Sequence, residues 1–86
     1  MTLDRDETML KYKKTEIDGN KLIYQYIPDG TGKPGKVSID KRTGETAVIE
    51  VSDDDIGNRY AFKLLKRLSE FFAENNYKDD GIIAWY

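Results

Sequence analysis

Eighty-six residues set a ceiling of one domain, and the chain has no cysteine and no histidine. Disulfides, thiolate metal sites, thiol nucleophiles and the usual neutral-pH general base are therefore all excluded. The 14 basic and 16 acidic side chains leave a formal net charge of −2, too small a field to draw the whole molecule to nucleic acid or an anionic membrane.

Met1 to Glu7 is polar and acidic, without the basic start and apolar centre of a signal peptide. It reads as a disordered lead-in, residues 1–7, to a single domain over 8–86. No apolar run approaches the ~18 residues of a membrane helix. With cysteine absent as well, the expectation is a cytoplasmic protein without membrane contact. Aromatic residues make up 12% of the chain against 35% charged ones, which suits a small core under a charged skin better than disorder.

The first hairpin has two candidate registers. Thr8 to Ile17 and Lys21 to Ile27 flank Asp18-Gly19-Asn20. A two-residue type I′ turn at Asp18-Gly19 sets Glu16 against Lys21 and Lys13 against Tyr24. Leu10, Tyr12, Ile23 and Ile27 then face the core, and Lys11, Lys13, Tyr24 and Tyr26 interleave outside. A three-residue loop instead sets Tyr12 against Tyr26. The core face becomes Leu10, Tyr12, Leu22, Tyr24 and Tyr26, with Lys11, Lys13, Ile23, Gln25 and Ile27 outside. A one-residue slip exchanges the faces, and the Asp-Gly pair favours the first register.

In the second hairpin, Lys41-Arg42-Thr43-Gly44 has the form of a type I turn closed by a left-handed glycine. Pairing Lys41 with Glu45 sets Ile39 against Ala47, Val37 against Ile49 and Lys36 against Glu50. Val37, Ile39, Ala47, Ile49 and Val51 then share an apolar face.

A helix follows from about Asp53 to Asn75. Ser52 or one of Asp53, Asp54 and Asp55 caps it, and the other carboxylates favour the positive end of its dipole. Its apolar face runs through Ile56, Tyr60, Leu64, Leu65, Leu68, Phe71 and Phe72, and Asn75-Asn76 is the stop. Asp79-Asp80-Gly81 turns the chain into the apolar tail Ile82–Tyr86, which must pack on the core, add a strand or meet another chain.

The fold expected is α+β: a four-stranded antiparallel sheet of two consecutive hairpins with one C-terminal helix packed on one face. The core is Val37, Ile39, Ala47, Ile49 and Val51 against the apolar face of the helix. In topology alone, this ββββα order resembles the single-strand-binding transcriptional coactivator fold, a likeness with little functional weight.

Chemistry is sparse. Gly30-Thr31-Gly32-Lys33-Pro34-Gly35-Lys36-Val37 nearly matches a phosphate-binding P-loop, but Val37 replaces the required hydroxyl and the segment opens a strand rather than a helix. It reads as a mobile connection between hairpins. Asp53-Asp54-Asp55 could suggest a hard cation, yet successive carboxylates diverge and capping accounts for them. Arg59, Lys63, Lys66 and Arg67 form a basic helix stripe, read as a solvated face. No nucleophile–base pair is placed by local spacing, so no catalytic residue, cofactor or metal ligand is assigned.

Two sets of surface residues remain. Lys11, Lys13, Tyr24 and Tyr26, helped by Lys33 and Lys36, would offer rings and cations to a single-stranded nucleic acid. Trp85 and Tyr86 would suit a dimer or partner contact. The reading that follows is a small non-enzymatic interaction module engaging a protein partner or a second copy, with single-stranded nucleic-acid binding as the alternative.

Overall fold

The computed structural model describes residues 8–29 and 32–85, so the expected disorder of 1–7 and the placement of Tyr86 lie outside the described residues, as do the side chains of Ile56 and Trp85. The elements run β1 (Thr8–Asp18), β2 (Lys21–Pro28), β3 (Gly35–Asp40), β4 (Thr46–Glu50), a 3₁₀ turn (Ile56–Asn58), α1 (Arg59–Glu74) and β5 (Asp80–Trp85). The α+β class with an antiparallel sheet and one helix is as expected. The sheet has five strands rather than four, in the order β4-β3-β2-β1-β5. The apolar tail supplies the fifth by pairing antiparallel with β1, Leu10 opposite Ile83. The approach is held on both sides. Tyr24 Oη donates to Lys78 O at 2.6 Å, the Lys14 amide donates to Asp79 O at 2.7 Å, and Lys14 Nζ lies 2.8 Å from Asp79 Oδ1.

Neither expected turn for the first hairpin is formed. The two-residue loop is Gly19-Asn20, with Asp18 opposite Lys21, and a bulge between Lys14 and Glu16 takes up one residue. Beyond the bulge Tyr12 opposes Tyr26, and Leu10, Tyr12, Leu22, Tyr24 and Tyr26 are all buried. The favoured register, with Tyr24 and Tyr26 outside, is thus corrected. Large rings gain most from burial when their hydroxyls find partners inside, and both do: Lys78 O for Tyr24, Asp55 for Tyr26.

The second hairpin is also shifted. Asp40 Oδ1 accepts from the Arg42 amide at 2.8 Å, an Asx turn that starts the loop one residue early. Asp40 N then bonds to Glu45 O and Gly44 N to Asp40 O. Ile39 therefore opposes Thr46 and Val37 opposes Val48. Val48 packs on the core, whereas Ala47, Ile49 and Val51, expected inside, are exposed. A bulge at the β4 end returns Lys36 to its expected place opposite Glu50. Gly44 takes the expected left-handed conformation, φ +81°.

The helix begins at Arg59 rather than Asp53, because Gly57 and Asn58 are both left-handed and break the first turn. The N-cap position is Asn58, not one of the expected residues, and its side chain makes no cap bond, but one of the expected acids serves the first turn from further back. Asp55 Oδ1 accepts from the Tyr60 amide and Oδ2 from the Ala61 amide, each at 2.9 Å. The helix stops at Asn75, left-handed at φ +53°, where the Asn76 amide reaches back to Phe71 O. Ala61, Leu64, Leu68 and Phe71 are buried against the sheet, whereas Phe72 is 39% exposed and its ring lies over Gly44. The core thus centres on the first hairpin rather than the second. Tyr12, Tyr24 and Phe71 pack with ring centroids 5.9–6.5 Å apart, and Tyr77 meets Phe71 edge-on.

Candidate binding face

The helix packs over β2, β3 and β4 on one side of the sheet. Among the described residues no helix packs on the other side. Residues directly opposite in adjacent strands share a face, so the registers lay defined rows across it. One polar row runs from edge to edge: Asp80, Lys13, Gln25, Lys36 and Glu50. Bases sit inside and an acid stands at each end. The next row places Lys11 between Ile27 on β2 and Ile82 on β5. A third brings Ile23, Ser38 and Ala47 together.

These rows form a shallow concavity of about 420 Å³ walled by Lys11, Lys13, Gln25, Ile27, Asp80 and Ile82. Ile82 is 58% exposed, comparable to Ile17 at 61% and Ile49 at 51%, and stands on the same row as Ile27, with Lys11 between them. The Lys11 stem can lie along the two isoleucines while its ammonium stays in water.

Lys11, Lys13 and Lys36 stand on this face as expected. Tyr24 and Tyr26 do not, both being fully buried beneath the helix, so the interleaved lysine–tyrosine surface is not formed. Lys33 is also apart from it. Its amide donates to Asp54 Oδ2 at 2.6 Å, its carbonyl accepts from the Ser52 hydroxyl, and its ammonium lies 3.7 Å from Asp53 Oδ2. The glycine-rich connection, read as mobile, is thereby tied to the helix entry at Lys33. Asp53 and Asp54 both hold Lys33, whereas Asp55 accepts from Tyr26, Tyr60 and Ala61. Of the expected interface pair, Trp85 closes β5 opposite Thr8. Gln25, Ile27, Asp80 and Ile82 were not among the expected site residues. The first two follow from the alternative register, the last two only from the fifth strand.

The buried phenols hold their protons. Burial is the main cause that pushes Tyr26 up to about 12, with the hydrogen bond and charge of Asp55 adding to it and the Ser52 amide opposing. Tyr24 is raised further, by burial first and then by Tyr12, Asp79 and Tyr77. Groups that hold their protons so firmly cannot act as bases near neutral pH.

A second, smaller groove of about 160 Å³ lies on the helix side of β5, between Ile83 and Ala84 and the Lys63, Lys66, Arg67 and Glu70 flank of α1. It takes in three of the four residues of the basic helix stripe. No helix among the described residues is long and apolar enough to cross a membrane. No protein family, no curated protein and no solved structure matches this chain.

Proposed function

We propose that the chain is a small non-enzymatic binding module that takes a protein partner on the open face of its sheet. The observation that carries this reading is the concavity around Lys11, where Ile27 and Ile82 present apolar surface within a polar row. A face of this kind favours a partner with an apolar centre and an acidic rim, because Lys11, Lys13 and Lys36 stand at its middle while its acids, Asp80, Glu50 and Glu16 opposite Ile23, lie toward its margins.

The alternative, a single-stranded nucleic acid, would keep these lysines but lose its stacking platform, since Tyr24 and Tyr26 lie in the core. Binding would then rest on phosphate contacts alone, against a net charge of −2. Protein binding is the better-supported reading.

The test compares wild type with an Ile27→Glu/Ile82→Glu variant in affinity capture, followed by amide shift mapping with the captured protein. The expected result is a partner lost in the variant whose shifts centre on Lys11, Ile27 and Ile82. A partner held equally by both proteins, or shifts confined to the outer side of the helix, would overturn the reading.

A further inference from the structure

Among the described residues β5 is an edge strand with little protection. Edges are normally blunted by lysine, proline or a bulge, yet β5 carries a single charge, Asp80 at its first residue, and no proline. Its pairing with β1 runs through six consecutive residue pairs without a shift. The opposite edge, β4, has both a bulge and Glu50.

Two concavities border this strand, one on each face. Asp80, Gly81 and Ile82 wall the open-face concavity, and Ile83 and Ala84 wall the groove beside the helix. A strand laid along β5 sends alternate side chains to opposite faces, hence toward both concavities in turn. One holds Ile27 and Ile82 beside Lys11, Lys13 and Asp80. The other is lined by Lys63, Lys66 and Arg67, with Arg67 Nε 3.2 Å from Glu70 Oε1.

We infer that the partner contributes an extended acidic segment that pairs with β5 as a sixth strand, apolar side chains toward Ile82 and acidic ones toward Lys63, Lys66 and Arg67. This deepens the reading of the open face as a protein-binding surface and rests on it. Main-chain hydrogen bonds to the edge supply affinity, and the two concavities supply selectivity. A second copy of β5 suits the edge less well, because its uncharged Gly81–Ala84 stretch brings no acid to the basic groove.

The probe is a peptide alternating glutamate and valine. Its controls are a lysine–valine counterpart and the glutamate peptide N-methylated at alternate residues, which cannot pair as a strand. Amide exchange at Gly81–Trp85 is read by NMR. The glutamate–valine peptide is expected to slow exchange there at least tenfold, while both controls fail. Lys66→Glu/Arg67→Glu, both surface changes, is expected to weaken binding at least tenfold with an unchanged circular dichroism spectrum. Equal binding of the lysine peptide or of the N-methylated one would overturn the inference. So would a peptide-free dimer joined through β5. Shifts at Lys11 and Ile27 with unaltered β5 exchange overturn strand addition while leaving the open-face reading intact. Unchanged spectra with every peptide overturn strand addition, and the open-face reading then stands or falls on the capture experiment.

Discussion

The Tyr26 hydroxyl donates a 2.8 Å hydrogen bond to Asp55 Oδ2, linking the middle of the sheet to the entrance of the helix. The same carboxylate caps α1 through the Tyr60 and Ala61 amides, and the Ser52 amide donates to the Tyr26 oxygen at 3.0 Å. Asp55 is only 4% exposed, so its charge is held by three donors in place of water. A buried carboxylate is tolerable only when satisfied in this way.

Removing either partner should be costly, and unequally so. Tyr26→Phe removes the charge-assisted bond to Asp55 and the acceptor of the Ser52 amide but leaves the cap, a loss of about 1–3 kcal/mol. Asp55→Ala removes the cap and strands the phenol, a loss of about 2–4 kcal/mol. Urea denaturation of both variants and the double mutant checks this. Because the residues touch, the double mutant should lose less than the sum of the two.

Alkaline pH should weaken the fold through the same phenol. Tyr26 titrates ordinarily at 10 and is pushed up to about 12 when folded, and Tyr24 is raised in the same direction. Below pH 10 both states hold the proton and the stabilisation is fully present. Above it the unfolded chain releases the proton first, so stability falls as pH rises from about 10 through about 12. Urea midpoints at pH 8, 10 and 11 should fall between the second and third, and Tyr26→Phe should flatten that fall.

The contrast between helix and sheet explains what was legible in the chain. An acidic cap, the four-and-three spacing of Leu64, Leu68 and Phe71, and a stop at Asn75 are local signals, and they survive in the fold. Strand faces depend on loop length to the residue. The bulge between Lys14 and Glu16 and the Asx turn at Asp40 each move a strand by one position, enough to turn Tyr24 and Tyr26 inward and Ile49 outward. Lys11, Lys13 and Lys36 were legible because β1 keeps its faces in both candidate registers and Lys36 keeps its partner Glu50. Ile82 was not, because its role requires β5 to pair with a strand some 70 residues earlier in the chain.

Glycines beneath two tyrosine rings offer a stringent packing test. Tyr26 opposes Gly35 and Tyr12 opposes Gly81, and each ring lies over its glycine. A Cβ added at Gly35 would sit 2.4 Å from Tyr26 Cε1, and one at Gly81 would sit 2.6 Å from the Tyr12 hydroxyl oxygen. Gly35→Ala and Gly81→Ala should each lower stability by about 1–3 kcal/mol through overpacking, read as a lower thermal midpoint. Gly35→Ala should cost more, because Tyr26 is also pinned at its hydroxyl by Asp55.

The faces of β4 can be separated by two isosteric or near-isosteric changes. Val48 packs on the core, while its neighbour Ile49 is 51% exposed. Val48→Thr replaces a core-facing methyl with a hydroxyl that gains no assured partner there, at a cost of about 1–2 kcal/mol. Ile49→Thr acts on a surface position and should stay within about 0.5 kcal/mol. Under the three-residue loop expected from the turn sequence the order would be reversed, with Ile49→Thr the damaging change. Denaturation midpoints of the two variants therefore measure the register directly: a larger loss from Ile49→Thr would show that Ile49, not Val48, faces Val37 and the helix.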